Sequence, residues 1–366
     1  MKVISKSIIV LTLLLGILIF YLSIFGIETD RFNSQILNKI KEIDEKTEIE
    51  LKKIKLVFDP ISLKINIKTI GSKLKKKNGI IEIENIKAQI SLKSLISNKF
   101  AIEKLEISTK SLEIKNLIYF LRSFKNSPEL FILENTIKKG YLIADIKLEF
   151  DSNGKIRDNY EIEGFIKDAR LSVLKKYNLK NLDLIFEYQK NNLLISNITF
   201  SLNNLNFLSE KILLKKKNDN FLVEGNINHK KLNFDKENLD LFLQPLFPKL
   251  KIQKIKFNSN NSFVFEVTKK FEIKNYNILS EMFVDELLIS NNFDLKNFLP
   301  NIKKDILFSD NKISIEYNKN YFSINGSGDI LLQDKKDSLN FRVNKNNKIL
   351  DFKGSLTIKD NPFIIN

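Results

Sequence analysis

From about residue 47 onward, apolar and polar residues alternate one by one over most of the chain, and the pattern seldom switches to a helical period. In a strand successive side chains point to opposite faces. "ISLKINIKTIG" therefore puts Ile61, Leu63, Ile65 and Ile67 on one face, with Lys64, Asn66 and Lys68 on the other. "ISLKSLISNKFAIEKLEISTKSLEI" repeats the pattern with Ile90 and Leu92, then Leu105 and Ile107, then Leu112 and Ile114. "LIADIKLEF" adds Leu142, Ala144, Ile146, Leu148 and Phe150; later runs add Phe263, Phe265 and Val267, then Ile313, Ile315 and Tyr317, then Leu339, Phe341 and Val343. Turn signals such as "KKKNG", "DSNGK", "KKKNDN" and "NKNNK" separate them. Short strands spaced by roughly 8–12 residues predict a mostly β fold, an extended, antiparallel, curved sheet of roughly 20 strands rather than βαβ units.

Helical interruptions are few. "NLIYFLRSF" (116–124), "KENLDLFLQPLF" (236–247) and "DLKNFLPNI" (294–302) are the candidates. They are too short to cover one face of such a sheet. The apolar face must close on itself as a sandwich or barrel, or stay open as a groove that another molecule fills. So many strands are more than a single twisted sandwich accommodates without splitting, which favours the groove; the sandwich stays open as the alternative.

The N-terminus, "MKVISKSIIVLTLLLGILIFYLSIFGIETDR", has no charged residue from Ser7 to Ile27. About 20 residues at 1.5 Å each span roughly 30 Å, the thickness of a bilayer's hydrocarbon core. Lys2 and Lys6 precede the run, and Glu28 and Asp30 follow it. The positive-inside rule then predicts a cytoplasmic tail (1–6), a transmembrane signal-anchor (7–27) and a body on the far side. A cleaved signal would have a shorter apolar core and an A-x-A-like site, but no Ala precedes Ala88. Phe32, Ile36, Ile40 and Ile43 have helical spacing and predict an amphipathic helix over 30–46.

Net charge is +16, which favours anionic partners. The lysines cluster where strands are expected to turn (Lys75-Lys76-Lys77, Lys215-Lys216-Lys217, Lys230-Lys231, Lys335-Lys336), as solvated hairpin ends that also block edge-to-edge pairing. The absence of cysteine excludes disulfides, thiolate nucleophiles and Cys-type metal sites. His229 is the only histidine and reads as a polar residue at a turn; no nucleophile-elbow motif accompanies it. "GSGD" at 326–329 lacks the helix start and lysine of a P-loop and reads as a bend or bulge within a strand. No catalytic constellation, metal site or cofactor is expected. Phe residues interleaved with Lys suit nucleic-acid stacking superficially, but they fall on the same face as Ile and Leu, so no nucleic-acid partner is expected.

The anchor, the helix "FNSQILNKI", the strand "TEIELKKIKLVF" and "GIIEIENIKAQISLKSLISNKFAIEKLEISTKSLEI" together resemble the N-terminal region of the AsmA-like superfamily, which includes the AsmA, TamB and YhdP groups. The distinctive part is a strand ending in Leu95-Ile96, the turn Ser97-Asn98-Lys99, then "FAIEKLEI" and a closing "LEI". "YEIEGFIKDARLSVLKKYNLKNLDLIFEY" is similar to repeats of YhdP-type members. The resemblance covers roughly the first 125 residues well and the rest only in style. It implies an AsmA/chorein-like β region (47–125), a repeating β-groove (136–366), bacterial inner-membrane anchoring with a periplasmic body, and phospholipid transport or homeostasis between the two membranes. The chain stops directly after a strand-like stretch without an evident cap, which fits a fragment, a short family member or a unit that joins another envelope protein. On this reading Ile61, Leu63, Ile65, Ile90, Leu92, Leu105, Ile107, Leu112, Ile114, Ile146, Leu148, Phe150, Phe263, Phe265, Ile313 and Ile315 line the groove, and the outward set Lys64, Asn66 and Lys68 matters little. The alternative is a membrane-tethered β-sandwich scaffold or outer-membrane assembly factor acting through a protein partner; an enzyme of unrecognised type is a weaker third.

Overall fold

The computed structural model describes residues 2–30, 33, 47–76, 79–93, 97, 102–124, 127–173, 177–218, 220–245, 248, 250–268, 272–291, 294–346 and 349–365. It is 64% strand and 16% helix, with antiparallel pairing throughout and an apolar helix first. This is the expected fold class: a curved antiparallel sheet of about 20 strands with few helices. The expected amphipathic helix over 30–46 lies outside the described residues, apart from Asp30 and Asn33, as does most of the turn from Leu95 to Lys99. The chain divides into two compact units, 1–176 with 183–191, and 177–182 with 192–366. The boundary between them falls inside one strand.

In the first unit, helix α1 (Lys2–Ile24) has from Lys6 to Ile24 a stretch long and apolar enough to cross a membrane. It stops three residues earlier than the uncharged run. Gly26 (φ +66°) turns the chain out of the helix, with the Phe25 and Gly26 amides donating to the Tyr21 carbonyl. A Cβ on Gly26 would meet the Leu56 carbonyl oxygen at 2.3 Å, so only glycine fits there. The chain therefore enters the sheet at once, as β1 (Ile27–Thr29).

The strands that follow are β2 (Thr47–Glu50), β3 (Ile54–Asp59), β4 (Lys64–Ile70), β5 (Lys73–Lys76), β6 (Gly79–Ser91), β7 (Ile102–Thr109), β8 (Leu112–Glu113), β9 (Ile137–Glu149) and β10 (Glu161–Val173). They pair in the order β1–β3–β4–β6–β7–β9–β10. The long strand β6 is shared: Gly79–Glu82 pair with β5, and Asn85–Ser91 with β4. Helix α2 (Ile114–Phe124) lies on this end of β6 and buries Ile81, Ile83, Leu112 and Phe120 in one cluster. Gly79 permits the approach, since a Cβ there would stand 2.9 Å from the Phe120 backbone. Lys76 is buried beneath α2 with its ammonium 3.3 Å from the centroid of the Phe124 ring, not at a solvated hairpin end. A further helix, α3 (Pro128–Thr136), was not anticipated; Ser127 caps it and Pro128 occupies its first turn.

After β11 (Tyr177–Gln189), whose first residues belong to the second unit, that unit is a meander of β12 (Asn192–Leu202), β13 (Leu205–Lys217), β14 (Asn220–Asn233), β15 (Ile252–Val267), β16 (Ile273–Ser290), β17 (Asp305–Asn318), β18 (Tyr321–Leu331), β19 (Asp337–Asn346) and β20 (Ile349–Thr357). Each strand from β12 to β20 pairs with the next. Asn203 and Asn204 (φ +48° and +68°) make the two-residue turn between β12 and β13, a conformation Asn tolerates. The connections after β14, β16, β18 and β20 all leave from one end of the strands, and all carry covering segments. Residues 236–243 form a short helical stretch, as expected, and lay Leu239, Phe242 and Leu243 on Leu205, Leu232 and Phe257. The 294–302 segment, expected to be helical, forms only turns, because Pro300 cannot donate to a helical ladder. It still buries Leu299 against Ile289, Ile306, Ile330 and Leu332. Buried Gln333 ties these segments together, accepting from the Asn301 amide (3.1 Å) and donating to the Pro362 carbonyl (2.8 Å).

Removing the aromatic under α2 should open a cavity with no side chain able to fill it. Phe120→Ala should cost about 3–5 kcal/mol in urea unfolding, while the exposed Tyr119→Ala should cost well under 1 kcal/mol.

Candidate functional site

The register of the first unit settles which residues share a face. Directly opposed residues across antiparallel strands lie on the same side. Three apolar rows result: Phe58–Ile65–Ile90–Ile102, Leu56–Ile67–Ala88–Leu105–Leu148, and Ile86–Ile107–Ile146–Ile162. The residues of these rows are half-buried, but the third row continues from Ile86 to the fully buried Thr69 and Ile54, and its Ile86 and Ile107 pack against the cluster beneath α2. The other fully buried apolar residues of this unit lie chiefly in the cluster beneath α2. A sandwich would have buried all three rows.

The structure thus brings Ile65, Ile90, Leu105, Ile107, Ile146 and Leu148 together. It does not bring Ile61 and Leu63 with them. The Asp59 carboxylate accepts from the Ile61 and Ser62 amides (3.1 and 3.2 Å) and from the Ser62 hydroxyl (2.6 Å), and this hydroxyl bond holds the carboxyl below the usual carboxylate range. The resulting turn delays the strand to Lys64, leaving Ile61 96% and Leu63 56% exposed. Leu92 follows the end of β6, and Phe150 sits in an isolated bridge to Ile156. Leu112 and Ile114 are buried at the foot of α2. Leu56, Phe58, Ile67, Ile86, Ile102 and Ile162 belong to the face but were not named as lining; their own alternation carried the signal.

The opposite face of the same strands is charged, and many of its lysines are paired. Lys64 meets Glu103 at 3.0 Å, Lys104 meets Glu106 at 2.8 Å, and Lys147 meets Glu163 at 2.9 Å. The bond from Lys104 holds the Glu106 carboxyl below its ordinary range. Such exposed pairs contribute little stability; they keep this face wet.

In the second unit, Val223 opposes Phe265, and the row Ile212–Gly225–Phe263–Ile278–Tyr317–Phe322 runs across β13 to β18. A second row places Ser280, Ile315, Ile324, Val343 and Phe352 side by side. Phe263, Phe265, Ile313 and Ile315 are half-buried and share this face. Glycine in "GSGD" has a local cause: Gly326 opposes Phe341, whose ring a Cβ would meet at 2.2 Å.

His229 is not at a turn. It stands within β14, 3% exposed, between the rings of Phe207 and Phe257, at 5.2 and 6.0 Å between centroids. Unbroken alternation from Val223 through Gly225 and Ile227 puts it on that face, and a bulge at Lys230-Lys231 brings Leu232 to the same side. Lys231 takes φ +55° and its amide donates to the Asn258 side chain at 2.7 Å, so that His229 and Leu232, three residues apart, face the same way. Neither ring nitrogen has a hydrogen-bond partner among the described residues. Burial alone lowers its pKa to about 4, so the ring is neutral at pH 7. Among the described residues no group of histidines and carboxylates is placed to hold a metal ion.

Because His229 titrates near 6.5 when unfolded and near 4 when folded, the unfolded chain takes up the proton first. Stability contributed by the neutral ring is complete above pH 6.5 and lost as the pH falls towards 4, amounting to about 3 kcal/mol at most. His229→Leu should remove that part of the pH dependence without lowering stability at pH 7, read as urea midpoints from pH 7 to 4.

Compared with protein-family models, with curated proteins and with solved structures, the chain matches none.

Proposed function

We propose that this is a membrane-anchored, non-enzymatic protein that holds phospholipid acyl chains along the apolar face of its sheet. The observation that carries the reading is the set of half-buried rows Phe58–Ile65–Ile90–Ile102, Leu56–Ile67–Ala88–Leu105–Leu148 and Ile86–Ile107–Ile146–Ile162. Each methylene moved from water onto such a face contributes about 0.8 kcal/mol. Many near-equal aliphatic sites hold a chain without fixing its position, which suits passage along the face. The resemblance to the AsmA-like superfamily supports the same reading. With it go placement in a bacterial inner membrane, a single pass with the N-terminus in the cytoplasm, a body in the periplasm, and a role in lipid transport or homeostasis between the two membranes. Helix α1 supports the anchor through its length and composition.

One observation favours a second reading, a tethered scaffold acting through a protein partner. Strand β20 pairs only with β19 among the described residues, and exposes Ile349, Leu350 and Phe352. An apolar edge of this kind accepts a strand from another chain.

The readings separate when the body is exported without its anchor, purified without detergent, and its extracted lipids are weighed by mass spectrometry. Lipid transport predicts several phospholipids per chain, a sharp loss of lipid in Ile107→Lys and Ile146→Glu, and retained cooperative unfolding in both. A folded, lipid-free body would reject transport in favour of the scaffold.

A further inference from the structure

The first unit holds a hollow of about 1290 Å³ directly after the membrane helix, lined by six lysines (Lys52, Lys53, Lys55, Lys68, Lys87 and Lys104), by the carboxylates of Glu28, Asp30 and Glu106, and by apolar residues including Val57, Ile67 and Ala88. Register makes its floor unusual. Lys55 opposes Lys68, and Lys68 opposes Lys87, so three lysines stand side by side across β3, β4 and β6. Directly opposed like charges destabilise a sheet, and most lysines elsewhere on this face have a carboxylate beside them. Lys55 and Lys68 have no carboxylate within ion-pair distance among the described residues, and Lys87 reaches Glu106 only at 3.6 Å, where Lys104 competes at 2.8 Å. Three lysines side by side, two of them without a carboxylate partner, leave positive charge for an anion to meet.

The place identifies the anion. Glu28, which opposes Lys55, lies four residues beyond the last helical residue, Ile24, and is joined to it through the Gly26 turn. With Lys6–Ile24 filling the hydrocarbon core, that distance brings the rim of the hollow to the headgroup layer, which is only roughly 5–8 Å thick on each side. We propose that the Lys55–Lys68–Lys87 row docks the phosphate headgroups of anionic phospholipids in the bilayer that holds α1, and so fixes the sheet against that membrane surface. By alternation the lysine row points away from the apolar rows, so it holds membrane lipid and not the chain-bound cargo. Of the proposed function, it rests only on α1 lying in a bilayer. Lys68, expected from the alternation to matter little, becomes its central residue.

The test is lysine footprinting by acylation and mass spectrometry on the full chain in nanodiscs of phosphatidylcholine, with and without phosphatidylglycerol. Lys55, Lys68 and Lys87 should react about threefold or more slowly when phosphatidylglycerol is present. Lys215, which is paired with Glu224 in the other unit, should not change. Soluble glycerol phosphate added to phosphatidylcholine discs should protect none of them. Lys68→Gln should keep its unfolding midpoint, because it relieves like-charge repulsion, and should abolish the protection at Lys55 and Lys87. Equal rates in the two discs overturn the proposal. Protection by soluble glycerol phosphate also overturns it, in favour of a free-phosphate site, and a lowered midpoint in Lys68→Gln overturns it by making the row structural. A lipid-free apolar face would leave all these rates as they are, so failure of the transport reading is told apart from failure of this one.

Discussion

A strand cannot put consecutive side chains on the same face, and everything else in this chain depends on how that constraint is met. Alternation gathers the aliphatic residues of each strand onto one side, and antiparallel register aligns them into rows such as Leu56–Ile67–Ala88–Leu105–Leu148. A soluble domain would then cover the rows with helices or a second sheet. Here helix α2 covers one cluster in the first unit, and residues 236–243 and 294–302 cover two in the second. Much of the remaining aliphatic surface stays half-exposed, and it is this surface that the proposed lipid chains would cover.

The irregular positions show how the sheet keeps its faces consistent. Gly79 and Gly326 remove a Cβ where a helix backbone and an aromatic ring press close. The bulge at Lys231 brings Leu232 onto the face of His229, where burial keeps the imidazole neutral between two phenylalanines. Bulges with Asp168 and Asp310 in the left-handed region do the same kind of work in β10 and β17, adding local twist to long strands.

Much of this was legible in the sequence, for a simple reason: period-two alternation survives without knowledge of any partner. It correctly placed Ile65, Ile90, Leu105, Ile107, Ile146 and Leu148 on one face. It failed where a local interaction overrode the period. Asp59 draws Ile61 and Ser62 into a turn, and the polar run at His229–Lys231, which reads as a turn, is a bulge inside β14. Pro300 undoes the helix that the spacing of "DLKNFLPNI" predicts. Properties of register were illegible altogether. Nothing in the separate segments "LKKIKLVF", "KINIKTI" and "IENIKAQI" announces that Lys55, Lys68 and Lys87 will stand in one row, because that follows only from which strands pair and where.

The central claim is that the aliphatic rows of the first unit meet lipid chains while the lysine-bearing face of the same strands meets water and polar headgroups. With no native cysteine, single cysteines at Leu105 and at Lys104 can carry a spin label on neighbouring residues of one strand that point to opposite faces. The decisive measurement is the mobility and oxygen accessibility of these two labels with lipid present. The account predicts an immobilised, oxygen-accessible label at 105 in an apolar environment, and a mobile, water-exposed label at 104. Two labels that behave alike, or a label at 105 that senses only water, would contradict it.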